Sequence, residues 1–382
     1  MGSRPRAAPA AAPVVNLTRA PPFDYANAPQ GSTCLFCRDF SGPDCVAAQY
    51  PLSSLPHDDP VGYLAAVLCG PFESATDKAR AIFTWCHHNI VYDVDGFFSG
   101  CIPRGQTTSQ QIFSGKAVCE GYANIYMEIA KHAGLEVVKI TGHGKGYGYK
   151  TFHPGDPLPE ITGHAWNAVQ IDGAQWKLLD SCWGAGAVEP GRYIKRFEPS
   201  EFTAANEVFG LRHYPSDGRS FYRADGATPD WEDYLVGPTP GLELPAFYSH
   251  CLEEGFDKTS LEPVVRLVDP ATAAQDGYVR FLASHICEHW DGAKHGKGPM
   301  YPIILNIKDA QNKTDLRPME TDGFWYWIDV PVHELPRGGE VFLSIVTSIN
   351  NEDVRGKGND YFAKMKGRSA MSWAHIASWN LA

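Results

Sequence analysis

Apolar residues recur three to four positions apart in two stretches of the first half of the chain. Ala79, Ile82, Phe83, Cys86 and Ile90 mark one face of a helix predicted from about Thr76 to Asn89. Tyr122, Ile125, Tyr126, Ile129 and Ala133 mark a second helix, which begins near Cys119 and stops before Gly134. Asp58-Asp59-Pro60 reads as the start of a shorter helix running through Leu68, with proline where the first turn needs no N–H.

The period then drops to two. Gly163 to Val169 reads as one strand and Gln175 to Asp180 as the next, with Asp172-Gly173 marking a hairpin between them. Loop length decides which residues face each other, because directly opposed residues share a face. A two-residue loop sets Asp180 against Ala165 and turns His164 away. A three-residue loop of Ile171-Asp172-Gly173, with Gly173 left-handed, pairs Gln170 with Ala174 and sets His164 opposite Asp180. It also sets Trp166 against Leu178, Ala168 against Trp176 and Asn167 against Lys177. Those pairs sort the faces better, so this loop is the predicted one. Between Ile140 and His164 lies a long excursion rich in Gly, Pro and Tyr, expected to border a substrate cleft.

Beyond about residue 235 short alternating stretches prevail: 279–283, 301–307, 324–330 and 340–347. They predict an antiparallel sandwich of the immunoglobulin-like kind. Trp373 and Trp379 are expected in its core. The 382 residues suggest two domains, and 43% hydrophobic content lets each build a core. The expected division is a disordered Ala/Pro-rich tail over 1–30, a first domain over 31–235 and the sandwich over 236–382.

The chemistry concentrates on three residues. Cys119 opens a helix, where unpaired N–H groups and the positive end of the macrodipole favour a thiolate and an adjacent oxyanion. His164 follows on a strand and Asp180 closes the next. An imidazole that takes the thiol proton, with a carboxylate that fixes its tautomer, makes a nucleophile for acyl transfer. Asn89, Tyr92 and Gln106 are alternative side-chain donors for the oxyanion, and nothing in the sequence chooses among them.

The segments Cys37-Arg38-Asp39-Phe40-Ser41, Asp77 to Trp85, His88 to Asp93, Val118-Cys119-Glu120-Gly121-Tyr122 and Gly142 to Tyr149 keep the order of a known family. So do His164-Ala165-Trp166-Asn167 and Asp180-Ser181-Cys182-Trp183-Gly184. From Gly31 to about Trp231 the chain resembles transglutaminase-like domains of the kyphoscoliosis-peptidase and fungal cytokinesis-protein type. The resemblance implies an α+β fold: a papain/transglutaminase-like core of helix plus antiparallel sheet, followed by the all-β sandwich. It implies the catalytic triad Cys119, His164 and Asp180, and a range of functions from peptidase or protein transglutaminase to non-catalytic scaffold. An intact triad without an SH3 module also resembles the fungal arginine-containing cyclodipeptide synthases. These would take arginyl-tRNA and a second aminoacyl-tRNA as acyl donors. On that reading Glu120, Asp93, Trp166, Lys145 and Tyr147 are candidate substrate-binding residues.

Charge weighs against a polyanion: the formal net charge is −11. Local docking would fall to Lys145, Lys150, Arg192, Lys195 and Arg196. A peptide or protein substrate is the alternative partner. The ten cysteines are irregularly spaced and the nucleophile must stay unoxidised, so reduced thiols are expected. No apolar run follows the early arginines as in a secretory signal, and none is long enough for a membrane span; the expected location is cytoplasmic, with no membrane partner. Cys34 and Cys37 form a CxxC, with Cys45 and His57 beyond, but no second pair follows. Neither a metal nor another cofactor is expected.

Overall fold

Short helices open the described part of the chain, and a side-chain cap begins the second and third of them. The computed structural model describes residues 34–382 apart from 104, 151, 154, 237–243, 273–276 and 295, so the expected 1–30 tail lies outside the described residues. After α1 (Ser41–Ala48), the Asp59 carboxylate accepts the Gly62 N–H at 2.9 Å and Pro60 begins α2 (Pro60–Cys69). Ser74 likewise accepts the Asp77 N–H to start α3 (Ala75–Asn89). The predicted stripe on α3 is buried, joined by Trp85. In α4 (Cys119–His132) the stripe of Tyr122, Ile125, Tyr126 and Ile129 is inaccessible to solvent. Its phenols are satisfied across the core: Tyr122 donates to the Ile90 carbonyl at 2.8 Å and Tyr126 to that of Ala79 at 3.2 Å. These bonds lock α4 against α3.

An antiparallel sheet backs these helices. Its order is β3 (Gln175–Leu179), β2 (His164–Ile171), β1 (Val137–Gly144) and β4 (His213–Pro215). Val137, Val169, Ile171 and Leu179 join the helical core, while Ile140, Trp166, Ala168 and Leu178 pack with Phe209. The hairpin loop has three residues, as expected, but they are Asp172-Gly173-Ala174. Ile171 therefore pairs with Gln175, Ala168 with Leu178 and Val169 with Lys177. None of the expected pairs forms. The cause is tertiary. The Asp172 carboxylate accepts from the Ser74 hydroxyl (2.5 Å) and the Ala75 N–H (2.8 Å), and the Asp172 N–H donates to Thr76. The turn is pinned to the start of α3, and both Gly173 and Ala174 take positive φ. The shift is two residues along the strand, so facing is preserved. His164 still shares a face with Asp180, on the diagonal.

The C-terminal region is β-rich. One sheet runs β10 (Met371–Leu381), β9 (Glu340–Ile349), β6 (Ile303–Lys308), β7 (Thr314–Pro318), and a second pairs β5 (Tyr278–Ser284) with β8 (Trp325–Pro331). Phe281, Leu305, Leu343, Ile376 and Trp379 form the core between them. Trp379 is buried, its indole N–H donating to the Pro263 carbonyl at 2.7 Å, whereas Trp373 is only half-buried. Among the described residues no helix is long and apolar enough to cross a membrane.

Candidate active site

Three elements converge at one end of the sheet. Cys119 is the first residue of α4, His164 the first of β2, and Asp180 the N-cap of α5 (Ser181–Ala185). The His164 Nε2 lies 2.7 Å from Asp180 Oδ2, and the Cys119 thiol bonds the same ring, which leaves Nδ1 for the sulfur. Asp180 is held from behind: its Oδ1 accepts the N–H groups of Cys182 (2.8 Å) and Trp183 (3.0 Å). The carboxylate is thus 1% exposed yet fully bonded.

A second imidazole completes the arrangement. His213, on β4, brings its Nε2 within 3.0 Å of the same Asp180 Oδ2 and stacks on Phe209 at 3.8 Å. The two histidines are driven in opposite directions. Burial disfavours a charged His164, but the charge and hydrogen bond of Asp180, with the contact to Cys119, prevail and push it up to about 10. Burial prevails at His213 and lowers it to about 4, so it is a neutral N–H donor at physiological pH. For Asp180 burial opposes ionisation, but the two imidazoles hold the carboxyl well below its usual range.

A cleft of about 400 Å³ opens over Cys119 and His164. Trp183 stacks on His164 at 4.5 Å, and the Arg212 guanidinium lies 4.6 Å from the centre of the Trp183 ring. Arg212 also donates to Glu201 at 2.7 Å. Burial, together with the Asp180 charge, pushes Glu201 up to about 7 against the pull of Arg212. Tyr92 lines the same cleft as Cys119, and burial raises its phenol, keeping it a donor. Asn89 is instead occupied by the Leu52 N–H and the Trp85 carbonyl, and Gln106 is not on the cleft wall.

The other sequence candidates separate. Lys145 and Tyr147 line the cleft, as do Gly144, Gly146 and Gly163 of the Gly-rich excursion. A Cβ on Gly146 would come 2.7 Å from the Trp183 ring, and one on Gly144 within 2.8 Å of His164, so both positions require glycine for close approach. Glu120 is exposed and paired with Lys139 at 2.9 Å. Asp93 caps the helix Val94–Ser99 through the Gly96 N–H. Trp166 is buried behind the histidines, 5.0 Å from His213. None of these three faces the cleft.

The basic residues considered for RNA are largely occupied. The Lys145 ammonium donates to the Tyr234 carbonyl and sits 4.3 Å over that ring. Lys195 donates to the His88 carbonyl at 2.7 Å, Arg192 pairs with Glu189 and Arg196 with Glu198. Lys150 is exposed. Cys34 and Cys37 do not meet Cys45 or His57; Cys45 is exposed on α1 and His57 stacks on Phe113 at 4.8 Å.

His213, Trp183, Arg212 and Glu201 escaped the sequence reading. His213 lies in a three-residue strand too short to show a period. It reaches Asp180 only because β4 pairs with the far end of β1, Gly144 opposite His213.

Residues 64–181 match the transglutaminase-like superfamily. Kyphoscoliosis peptidase from Mus musculus is 34% identical over 148 residues, which are 37% of this chain and 20% of that protein. The Homo sapiens protein is 35% identical over 156 residues, 38% of this chain and 22% of that one. Hillarin from Drosophila melanogaster is 30% identical over 123 residues, 32% and 14% respectively. The chain thus spans about a fifth or less of these curated relatives. The helix-and-antiparallel-sheet half of this chain is a transglutaminase-like core, homologous to the corresponding part of the kyphoscoliosis peptidases and joined to a β-rich C-terminal region.

Proposed function

We propose that this chain is an acyl-transfer enzyme working through a thioester on Cys119. The supporting observation is the bonded line from Cys119 through His164 to Asp180 at the floor of the cleft. The Cys119 thiolate attacks an acyl carbonyl carbon, and the electron pair moves onto oxygen. The Tyr92 hydroxyl and the N–H groups at the start of α4 stabilise that oxyanion. Collapse breaks the bond to the leaving group, which takes a proton from the His164 imidazolium. His164 then removes a proton from an incoming amine or water, whose attack releases the acyl group and restores the thiol.

The donor we favour is the amide of a peptide or protein, as the name of the kyphoscoliosis peptidases suggests for those relatives. Phe97, Phe98 and Tyr147 form an exposed aromatic rim suited to side chains flanking a scissile or transferred amide. The narrower alternative is cyclo-Arg-Xaa synthesis from aminoacyl-tRNA. The commitments of Lys145, Lys195, Arg192 and Arg196 and the net charge of −11 count against it. One experiment separates the readings. The protein is incubated with a peptide library and, separately, with arginyl-tRNA, and Cys119 is analysed by mass spectrometry. An acyl adduct from peptide supports the favoured donor. An arginyl adduct with a cyclic dipeptide in solution replaces it with the synthase. No adduct from either, and no labelling of Cys119 by a thiol-reactive acyl probe, overturns the enzymatic reading.

A further inference from the structure

Outside the cleft lining, four metal-ligating side chains converge from the two halves of the chain. Cys34 and Cys37 lie on a tight turn closed by the Cys37 and Arg38 N–H groups on the Cys34 carbonyl. Cys287 and His289 lie in the segment after β5, and Cys37 Sγ is 3.1 Å from Cys287 Sγ across 250 residues of sequence. The three sulfurs and one imidazole nitrogen all lie within 4.8 Å of one another, each residue half-buried. Ligand atoms around one tetrahedral zinc ion sit about 3.5–3.8 Å apart, so a single ion fits among them with small adjustments. A disulfide would use two of these sulfurs at about 2.05 Å and leave the third thiol and the imidazole unexplained.

We propose that Cys34, Cys37, Cys287 and His289 bind one structural Zn²⁺ that clasps the β-rich region to the catalytic core. Three thiolates and a neutral imidazole close a tetrahedral site with no open position, the pattern of structural rather than catalytic zinc. On binding, the thiols release their protons to solvent and no electron is transferred. The clasp has a direct structural outlet. Arg38, next to Cys37, bonds Asp77 at 2.9 Å, the Ser74 hydroxyl at 2.6 Å and Asp172 at 3.3 Å. Asp172 is the turn of the β2–β3 hairpin, whose other end presents His164 and Asp180. Zinc thus holds the residue that pins the catalytic hairpin.

The test is metal analysis of the purified full chain, kept reduced and never exposed to chelator. About one zinc per chain is expected. Stoichiometric zinc is expected to persist in Cys45→Ser and Cys101→Ser, whose thiols are exposed elsewhere, and to be lost in Cys287→Ser and His289→Ala. Because those two variants can misfold, the wild-type chain supplies an independent reading. Exchange with Co²⁺ should give intense thiolate-to-metal charge-transfer absorption and tetrahedral d–d bands. Absence of zinc together with absence of those bands overturns the site. So does full zinc retention in a Cys37→Ser/Cys287→Ser double variant. A Cys37–Cys287 cross-linked peptide, lighter by two hydrogens, in the protein as purified would also overturn it.

Discussion

Asp180 joins four partners at the candidate site through its two oxygens. One of its oxygens meets two histidines and the other caps α5. Asp180→Asn keeps the shape but donates where it should accept, so turnover should fall about 10³–10⁴-fold. The alkaline limb of the pH–rate profile, set by His164 near 10, should move toward neutrality in that variant. Cys119→Ala should abolish both the acyl adduct and turnover while leaving the thermal midpoint nearly unchanged, because the thiol is only half-buried. The histidines make opposite contributions to stability. His164 titrates higher folded than unfolded, so its contribution is complete below about 6.5 and disappears as pH rises through about 10. His213 titrates lower folded than unfolded, so stability is lost as pH falls from about 6.5 to about 4. Denaturant midpoints from about pH 4 to about pH 10 should show both slopes, and His213→Gln should flatten only the acidic one. The grouping of Cys119, His164 and Asp180 was legible because each occupies the end of an element with a local signal. His213 was not, since its role depends on a strand pairing between residues about 70 apart.

The elements themselves follow from local rules, and the hairpin shows where those rules stop. The cap at Asp59 and the stripes on α3 and α4 need only neighbouring residues, and they appear where the sequence puts them. The turn obeyed a contact nearly a hundred residues away, and Asp172 shifted every expected pair. That contact is testable. Asp172→Ala removes its bonds to Ser74, Ala75 and Arg38 and should cost about 1–3 kcal/mol in urea unfolding. It should also reduce kcat, because slack in the turn reaches His164 and Asp180 along two short strands. In the Gly-rich excursion, Gly146→Ala should press on Trp183 and reduce kcat/KM more than it reduces stability. Comparison of steady-state kinetics with the melting curve distinguishes the two effects.

At the scale of the whole molecule, the transglutaminase-like half and the β-rich half keep separate apolar cores. Their order was legible because periodicity changes character along the chain. The meeting of Cys34 and Cys37 with Cys287 and His289 was not, since nothing local links positions some 250 residues apart. Within the C-terminal half, Arg355 forms a two-pronged pair with the buried Glu254 and covers Tyr301 at 3.8 Å. Arg355→Ala strands that carboxylate and should destabilise this half by about 3–5 kcal/mol, seen as an earlier melting transition, with Cys119 still open to acyl probes. The cleft, finally, is divided along the sequence. Its floor, Cys119 and His164, lies inside the segment shared with the superfamily, whereas Trp183, Tyr193, Glu198, Glu201 and Arg212 come after residue 181. One wall of the cleft is therefore encoded outside the stretch that carries the sulfur and the imidazole, while Phe97, Lys145 and Tyr147 on the opposite rim lie within it. Exchanging only 186–198 for the same stretch of a relative would leave the Cys182 and Trp183 N–H groups on Asp180 in place, and should reshape one wall of the cleft without disturbing Cys119 or His164.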